Sequence, residues 1–308
     1  MQKDKTPQLS QLLDFSDESV VLREVEKTFR YGYHASGFRA ISHVYALICR
    51  LFAGKYPGYR KCNTEYHDLT HTLEVLVATA RLADGHNLQG DPLPLEMATN
   101  LYLAALLHDT GYIQQEDDTE GTGAKHTRNH EERSVSFTMK NASHLHIPPG
   151  DVEVVSRLIT GTDLNNGFPQ AAFHDEGERK AGILLATADL LGQMADRAYL
   201  EKLIFLYREL REAGIGDYKT EFDILRTTLG FYKIIRERLD GPLMGAYREV
   251  QMHFKLRFGV DRNLYMEAIE RQMQYLEGII ADDTANFRKK LKRMDLEALQ
   301  PGKSERSA

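Results

Sequence analysis

The sequence predicts an all-α protein. Apolar residues recur at helical spacing along almost the whole chain, and no segment sustains the apolar–polar alternation of a strand between turn signals. In chain order, helices are expected over 18–31, 37–54, 69–84, 94–109, 129–141, 150–160, 177–197, 198–213, 220–239, 242–257 and 262–298. Two polar stretches interrupt them. IQQEDDTEGTGAKHTR (113–128) is long for a loop inside a compact domain, and loops of that length tend to carry function or to move. The second is GTDLNNGFPQAAFHDE (161–176).

The chain divides on these patterns into helices packing on a core (1–59), a central helical domain (60–240), a C-terminal helical extension after Gly241-Pro242 (241–300) and a disordered tail (301–308). In the extension, Leu264, Met266, Ile269, Met273 and Leu276 form an apolar stripe that completes the core or buries a dimer interface. Oligomeric state is open between a monomer and a homodimer.

Composition narrows the class. The 308 residues are 42% hydrophobic and 27% charged, ordinary for a soluble globular protein, and the net charge of −6 gives no electrostatic case for a nucleic-acid polymer as partner. Cys49 and Cys62 cannot build a disulfide framework. The N-terminal residues lack the apolar core of a signal peptide, and no apolar run approaches about 18 residues, so no membrane span is expected and the location expected is cytoplasmic.

Three polar groups sit where an apolar pattern makes them costly. In EYHDLTHTLEVLVATARLAD (65–84), helical spacing puts His67, His71, Glu74 and Ala78 on one face and Leu69, Leu73, Leu76 and Ala80 on another, so His71 is interior. A lone interior histidine is usually just hydrogen-bonded within a core. The apolar run of AALLHDTGY ends in His108 and Asp109, a carboxylate at the negative end of a buried helix, with Gly111 placed for a left-handed stop. At a frayed last turn both side chains can converge on one ion, or Asp109 can cap a neighbouring helix. In GILLATADLLGQMADR, Asp189 lies in mid-helix among apolar residues and must be paired, hydrogen-bonded or metal-bound, with Arg157 and Arg197 as candidate ion-pair partners. A single bound dication satisfies all three groups at once. Two imidazoles and two carboxylates suit Zn, Mn, Fe or Ni, and Mg or Ca less well.

The ordered set His71 … His108-Asp109 … Asp189 resembles the HD-domain superfamily of metal-dependent phosphohydrolases. YHDLTHTLEV is similar to the YHxxxH helix of cyclic-nucleotide phosphodiesterases, and AALLHDTGY and NHEERS are similar to typical superfamily segments; the resemblance covers about residues 60–200. It implies that His71, His108, Asp109 and Asp189 hold one firm divalent metal (Mn, Zn, Fe, Ni or Mg), with Asp109 able to bridge to a second. His67 then corresponds to the histidine that protonates the leaving oxygen. The chain departs from the phosphodiesterases at Asp68, where they have Asn, and at Thr110-Gly111-Tyr112, where a further histidine follows their metal pair. The GYP signature of cyclic-dinucleotide hydrolases is absent too, so neither cyclic substrate is indicated.

His130 is the remaining candidate for a second metal or for catalysis, since LITGT (158–162) offers only threonines where two-metal relatives have another histidine. His126, one turn earlier, is expected in solvent. Lys125, Arg128 and Arg133 surround His130 in an acidic loop, and Lys125 and Arg128 are candidates for neutralising a substrate phosphate. The expected activity is hydrolysis of a small-molecule phosphate ester, possible nucleotides included, by a metal-activated water. Two other classes stand beside it: a di-iron oxygenase on the same scaffold and a non-catalytic ligand-binding module. Gly302-Lys303-Ser304 is no P-loop, because residue 297 is glutamate and no strand precedes it. The basic run 288–293 reads as a solvated helix end.

Overall fold

A computed structural model describes residues 7–164, 168–169, 172–282 and 287–296. They form twelve α-helices joined by turns, with a lone antiparallel bridge between Tyr59 and Gln115 in place of any sheet. The fold is all-α. In order the helices are α1 (Glu18–Phe29), α2 (Phe38–Phe52), α3 (Leu69–Asn87), α4 (Leu95–Leu107), α5 (His130–Leu145), α6 (Pro149–Thr160), α7 (Glu176–Ala195), α8 (Tyr199–Glu212), α9 (Glu221–Asp240), α10 (Val250–Phe258), α11 (Leu264–Ala281) and the single turn α12 (Phe287–Lys290).

Local chemistry sets their starts. Asp17 caps α1 by accepting from the Ser19 and Val20 amides, Asp68 caps α3 through the His71 amide, and Asp175 caps α7 through Glu178. Thr220 and Asp223 exchange reciprocal bonds at the head of α9. The helices then sort by which face is apolar. α1 buries the stripe Val21, Val25 and Phe29 and leaves its other face wet. α3 and α4 are buried nearly all round, and α7 from Ala181 to Ala195 almost equally so. Such all-round burial marks central helices. α3 packs along α7 and also touches α1, α4 and α10, so the three polar puzzles of the sequence lie on the three innermost helices.

One continuous apolar core runs from Val21 to Leu296, with residues on both sides of Gly241 contributing to it. Leu264, Met266, Ile269, Met273 and Leu276 of α11 are buried within it. No helix among the described residues is long and apolar enough to cross a membrane.

Most helix ends fall within four residues of the sequence expectation, and two boundaries differ by more. The pattern over 242–257 becomes a helix only at Val250, because Met244 (φ 53°) and Gly245 (φ 70°) adopt the left-handed region, which cannot continue a right-handed helix. A 3-10 turn, Ala246–Arg248, then leads directly into α10. The pattern over 262–298 breaks at Asp282, whose backbone is extended (φ −90°, ψ 101°) and whose carboxylate accepts from Lys290. Residues 283–286 and the tail 301–308 lie outside the described residues. The polar stretch 113–128 is held in place: Asp118 pairs with Lys125 and His126, and Glu212 of α8 accepts from both the amide and the hydroxyl of Thr122.

Candidate metal centre

His71 enters from the third residue after the α3 cap, its amide tied to the Asp68 carboxylate at 2.9 Å. Asp68 therefore fixes the first turn of α3, and the turn fixes the imidazole. His108 follows the last residue of α4 with helical backbone (φ −57°, ψ −35°), and Asp109 leaves the helix at φ −106°, ψ 9°. That change of direction lets two consecutive side chains reach one point.

Gly111 does not supply the expected left-handed stop, since it lies in a right-handed 3-10 turn (Thr110–Tyr112). Its role is close approach: a Cβ there would stand 1.9 Å from the His130 carbonyl oxygen. Ser134 locks this contact. Its buried hydroxyl accepts from the Gly111 amide at 2.8 Å and donates to the His108 carbonyl at 2.5 Å. Arg133 adds bonds to the carbonyls of Gly111 and Ile113.

The four side chains converge. His71 Nε2 lies 3.3 Å from Asp109 Oδ2 and 3.4 Å from Asp189 Oδ1. His108 Nε2 lies 3.4 Å from Asp109 Oδ2 and 3.8 Å from Asp189 Oδ1. The donor atoms of His71, His108 and Asp109, all buried, fall within 4.8 Å of one another. Arg157, an alternative partner for Asp189, is occupied by Glu178 at 2.5 and 3.1 Å.

The donor set fits a divalent cation on three grounds. Among the described residues, His108 Nε2 and Asp109 Oδ2 are buried with no hydrogen-bond partner, a costly condition for two strongly polar atoms. His108 Nδ1 meets the Ala105 carbonyl at 2.9 Å, which assigns the proton to Nδ1 and leaves the Nε2 lone pair facing the cluster. Ligands about 2.1 Å from an ion stand roughly 3.0–3.4 Å apart at right-angle or tetrahedral positions, close to the spacings found here.

Charge follows the same geometry. Burial opposes a charge on His71, but the Asp109 and Asp189 carboxylates outweigh it and push its pKa up to about 10. His108 is raised for the same reason, and Asp109 and Asp189 are held low despite burial by these two imidazoles. Without a metal, protons occupy the place of positive charge.

A ring of further groups surrounds the cluster. His130, the first residue of α5, has Nδ1 on the Thr127 carbonyl at 2.9 Å and Nε2 3.6 Å from Asp109 Oδ1; burial lowers its pKa, which keeps the ring neutral. Tyr112 stacks between His130 (4.6 Å between ring centres) and His67 (4.3 Å). His67 precedes the α3 cap, so it reaches the site from the loop and not from the helix face that spacing assigns it. Its Nδ1 lies 2.6 Å from Glu209 Oε2, and Glu209 Oε1 accepts from the Tyr66 amide at 2.7 Å. Glu131 faces the cluster too, its carboxyl pushed up to about 8 by burial and by Asp163, Asp109 and Asp189.

Lys125 is placed otherwise: its ammonium donates to Asp118 and to the Glu120 carbonyl. Arg128 donates to the Gly214 carbonyl at 2.7 Å. His126 is drawn to Asp118 at 3.0 Å. Sequence reasoning gives no role to Glu209, Glu131, Tyr112 and Ser134, although Tyr112 lies in AALLHDTGY and Glu131 and Ser134 in NHEERS; only Glu209 had no signal within reach.

Residues 68–162 match the family model HD domain, and residues 118–238 match a model described as Npun_R2479-like. No curated protein matches the chain. The first match holds His71, His108 and Asp109, the second holds Asp189, and the structure gathers all four at one point. Residues 68–162 of the chain thus carry an HD domain.

Proposed function

We propose that this protein is a phosphohydrolase that cleaves a small phosphate ester, a nucleotide among the candidates. The observation that carries the reading is the convergence of His71, His108, Asp109 and Asp189 around two buried atoms that nothing in the described chain satisfies. A divalent cation held by these four supplies a Lewis acid toward a phosphoryl oxygen and acidifies a water. The remaining chemistry belongs to the chain. His67 carries the proton for the departing alkoxide; Glu209 on Nδ1 holds the ring, and Nε2, 3.5 Å from the Tyr112 hydroxyl, exchanges that long contact for the substrate oxygen. His130, kept neutral by burial and 3.6 Å from Asp109 Oδ1, is the ligand the chain would offer a second cation beside the first. Lys125 and Arg128 serve this reading as phosphate-binding cations only by leaving Asp118 and the Gly214 carbonyl when substrate arrives.

The test is metal content of the purified protein by plasma mass spectrometry, alongside turnover of mono- and bis(p-nitrophenyl) phosphate. The expected result is near-stoichiometric Mn, Ni, Zn or Mg and metal-dependent release of nitrophenolate. Two irons per chain with an absorption band that changes on oxidation would move the protein to the oxygenases. Full metal with no turnover on a broad phosphoester panel would leave a metal-bearing regulatory module.

A further inference from the structure

Positive charge gathers at one place on the surface with no acid beside it. A cavity of about 390 Å³ is lined by Arg197 from the turn after α7, by Arg271 from α11 and by Arg293 from the segment after α12. Gln8, Ser10 and Gln11 line it from the N-terminal 3-10 turn. The rest of the described lining is Gln272 and three apolar residues, and it includes no carboxylate. All three arginines are exposed, so their donors are open to what enters.

The neighbouring acids are engaged elsewhere. Asp196, next to Arg197 in the chain, meets Lys202 at 2.5 Å, and the buried Glu201 accepts from the Arg293 amide at 3.0 Å. Arg293 gives one guanidinium donor to the Arg197 carbonyl, and no ion pair reaches Arg197, Arg271 or Arg293 among the described residues. Exposure alone does not account for this. Arg30, Arg226 and Arg262 are exposed too, and each has a carboxylate, at 2.5, 2.5 and 3.1 Å. The chain holds 45 acidic residues against 39 Lys and Arg, so acids were available for these three as well.

The backbone that carries the arginines is tied together against their repulsion. Gln272 Nε2 donates to the Met194 and Asp196 carbonyls at 2.9 and 2.7 Å, which joins α11 to the end of α7. The two Arg293 bonds join the C-terminal segment to the same corner. Gln11 closes the N-terminal turn by accepting from the Gln8 amide at 2.9 Å. The cavity wall is therefore built before a ligand arrives.

Three guanidinium groups with no acid suit a multiply charged anion. Guanidinium pairs its N–H donors with two phosphoryl oxygens at once, and a cleft lined by one sign of charge concentrates its field on what enters. We propose that this cavity is a second ligand site, which takes a small anion of the diphosphate class, with two or more phosphoryl groups. Arg197, Arg271 and Arg293 hold its charged oxygens, and the Ser10 hydroxyl and the Gln8 side-chain amide add neutral bonds. The volume is within the ordinary range for small-molecule sites, about 300–1,000 Å³. None of His67, His71, His108, Asp109, His130 and Asp189 lines the cavity, so this site stands or falls independently of the phosphohydrolase reading.

The test titrates the full chain with imidodiphosphate and with inorganic phosphate by calorimetry at low salt. Imidodiphosphate has a P–N–P bridge in place of the hydrolysable P–O–P. It should bind saturably, at least tenfold tighter than phosphate. Arg271→Gln and Arg293→Gln should each weaken it tenfold or more at unchanged metal content, whereas Arg262→Gln, a surface arginine outside the cavity, should not. Asp109→Ala should bind it as the parent does. Absence of saturable binding overturns the proposal, and so does phosphate that binds as tightly as imidodiphosphate. Undiminished binding by both cavity variants, or an equal loss in Arg262→Gln, is equally fatal, since the attraction would then be one of general charge. Binding lost in Asp109→Ala alone places the probe at the metal centre and overturns the second site.

Discussion

Helix α3 carries a buried ionic cluster near each end, built from the same residue types, and the two are satisfied in different ways. Near the C-terminal end, Asp84 has both oxygens engaged: Arg257 takes Oδ1 at 2.8 Å and Oδ2 at 3.0 Å, and His253 Nδ1 meets Oδ2 at 2.7 Å. Near the N-terminal end, His71 meets Asp109 and Asp189 at 3.3 and 3.4 Å, and Asp109 Oδ2 has no hydrogen-bond partner among the described residues. The chain supplies its own cation at one end and leaves the other to something it binds. The lesson is that the presence of buried His and Asp says little: His253 Nε2 also has no hydrogen-bond partner among the described residues, and what sets the N-terminal cluster apart is a carboxylate oxygen left without one.

The sharpest way to break the comparison is to remove one carboxylate from each cluster. Asp109→Ala should take the metal content from near stoichiometric to none and abolish turnover with it. Asp84→Ala should leave metal bound but destabilise the fold by about 3 kcal/mol, since it strands buried partners without their anion. Metal content and urea unfolding of the two variants measure both effects. Equal metal loss in both would erase the distinction between the clusters.

A smaller effect separates the metal from the proton donor beside it. Glu209→Gln keeps a hydrogen-bonding group against His67 Nδ1 while removing the charge. Turnover should fall roughly ten- to a hundredfold, at the low end of general-acid contributions, with KM and metal content little changed. His67→Ala should lose at least as much. A fall confined to KM would reassign Glu209 to substrate binding or to the fold.

What could be read from the chain follows from the same contrast. The helices and the four converging donors were legible because an apolar period makes an interior His or Asp conspicuous, and Asp189 in mid-helix is the clearest instance. Glu209 was not: it lies in YLEKLIFLYRELRE among ordinary charged positions, and only the packing of α8 against the loop before α3 turns it inward. Gly111 was noticed for the wrong reason. Its lack of a side chain serves the carbonyl of residue 130 across the chain, a distance no local pattern encodes. The two helix boundaries furthest from expectation, at Val250 and Ala281, arise where backbone conformation overrides an unbroken apolar period.

Protons sharpen the comparison next. His71 is raised to about 10 and His108 is also raised, so a divalent cation must displace protons from both at neutral pH. Metal affinity should therefore rise between pH 6 and 8, by roughly tenfold per unit for each proton displaced. The metal-free protein should behave in the opposite sense. A raised imidazole contributes stability that is complete below its unfolded value of 6.5 and disappears as pH climbs through about 10, so the chelated protein should lose stability over that window. Metal competition titrations and melting curves at several pH values follow the two trends, and a flat affinity would mean that no proton leaves His71.

The smallest effect probes how the cluster is held. Ser134 touches no donor atom of the cluster, yet its hydroxyl bridges the Gly111 amide and the His108 carbonyl, joining α5 to the turn that presents both His108 and Asp109. Ser134→Ala leaves the Gly111 amide and the His108 carbonyl each short of a buried bond, at a cost of about 1–3 kcal/mol. Groups that orient metal ligands typically change affinity by about 10–100-fold when removed. The hydroxyl acts on the backbone behind His108 and not on its ring, and the ring keeps its own bond to the Ala105 carbonyl. The lower figure, about tenfold, is accordingly expected, read as metal affinity by competition with a chelator of known strength. Affinity unchanged alongside a lowered melting temperature would make the bridge a property of the fold, and the presentation of His108 and Asp109 would then rest on the close approach at Gly111 alone.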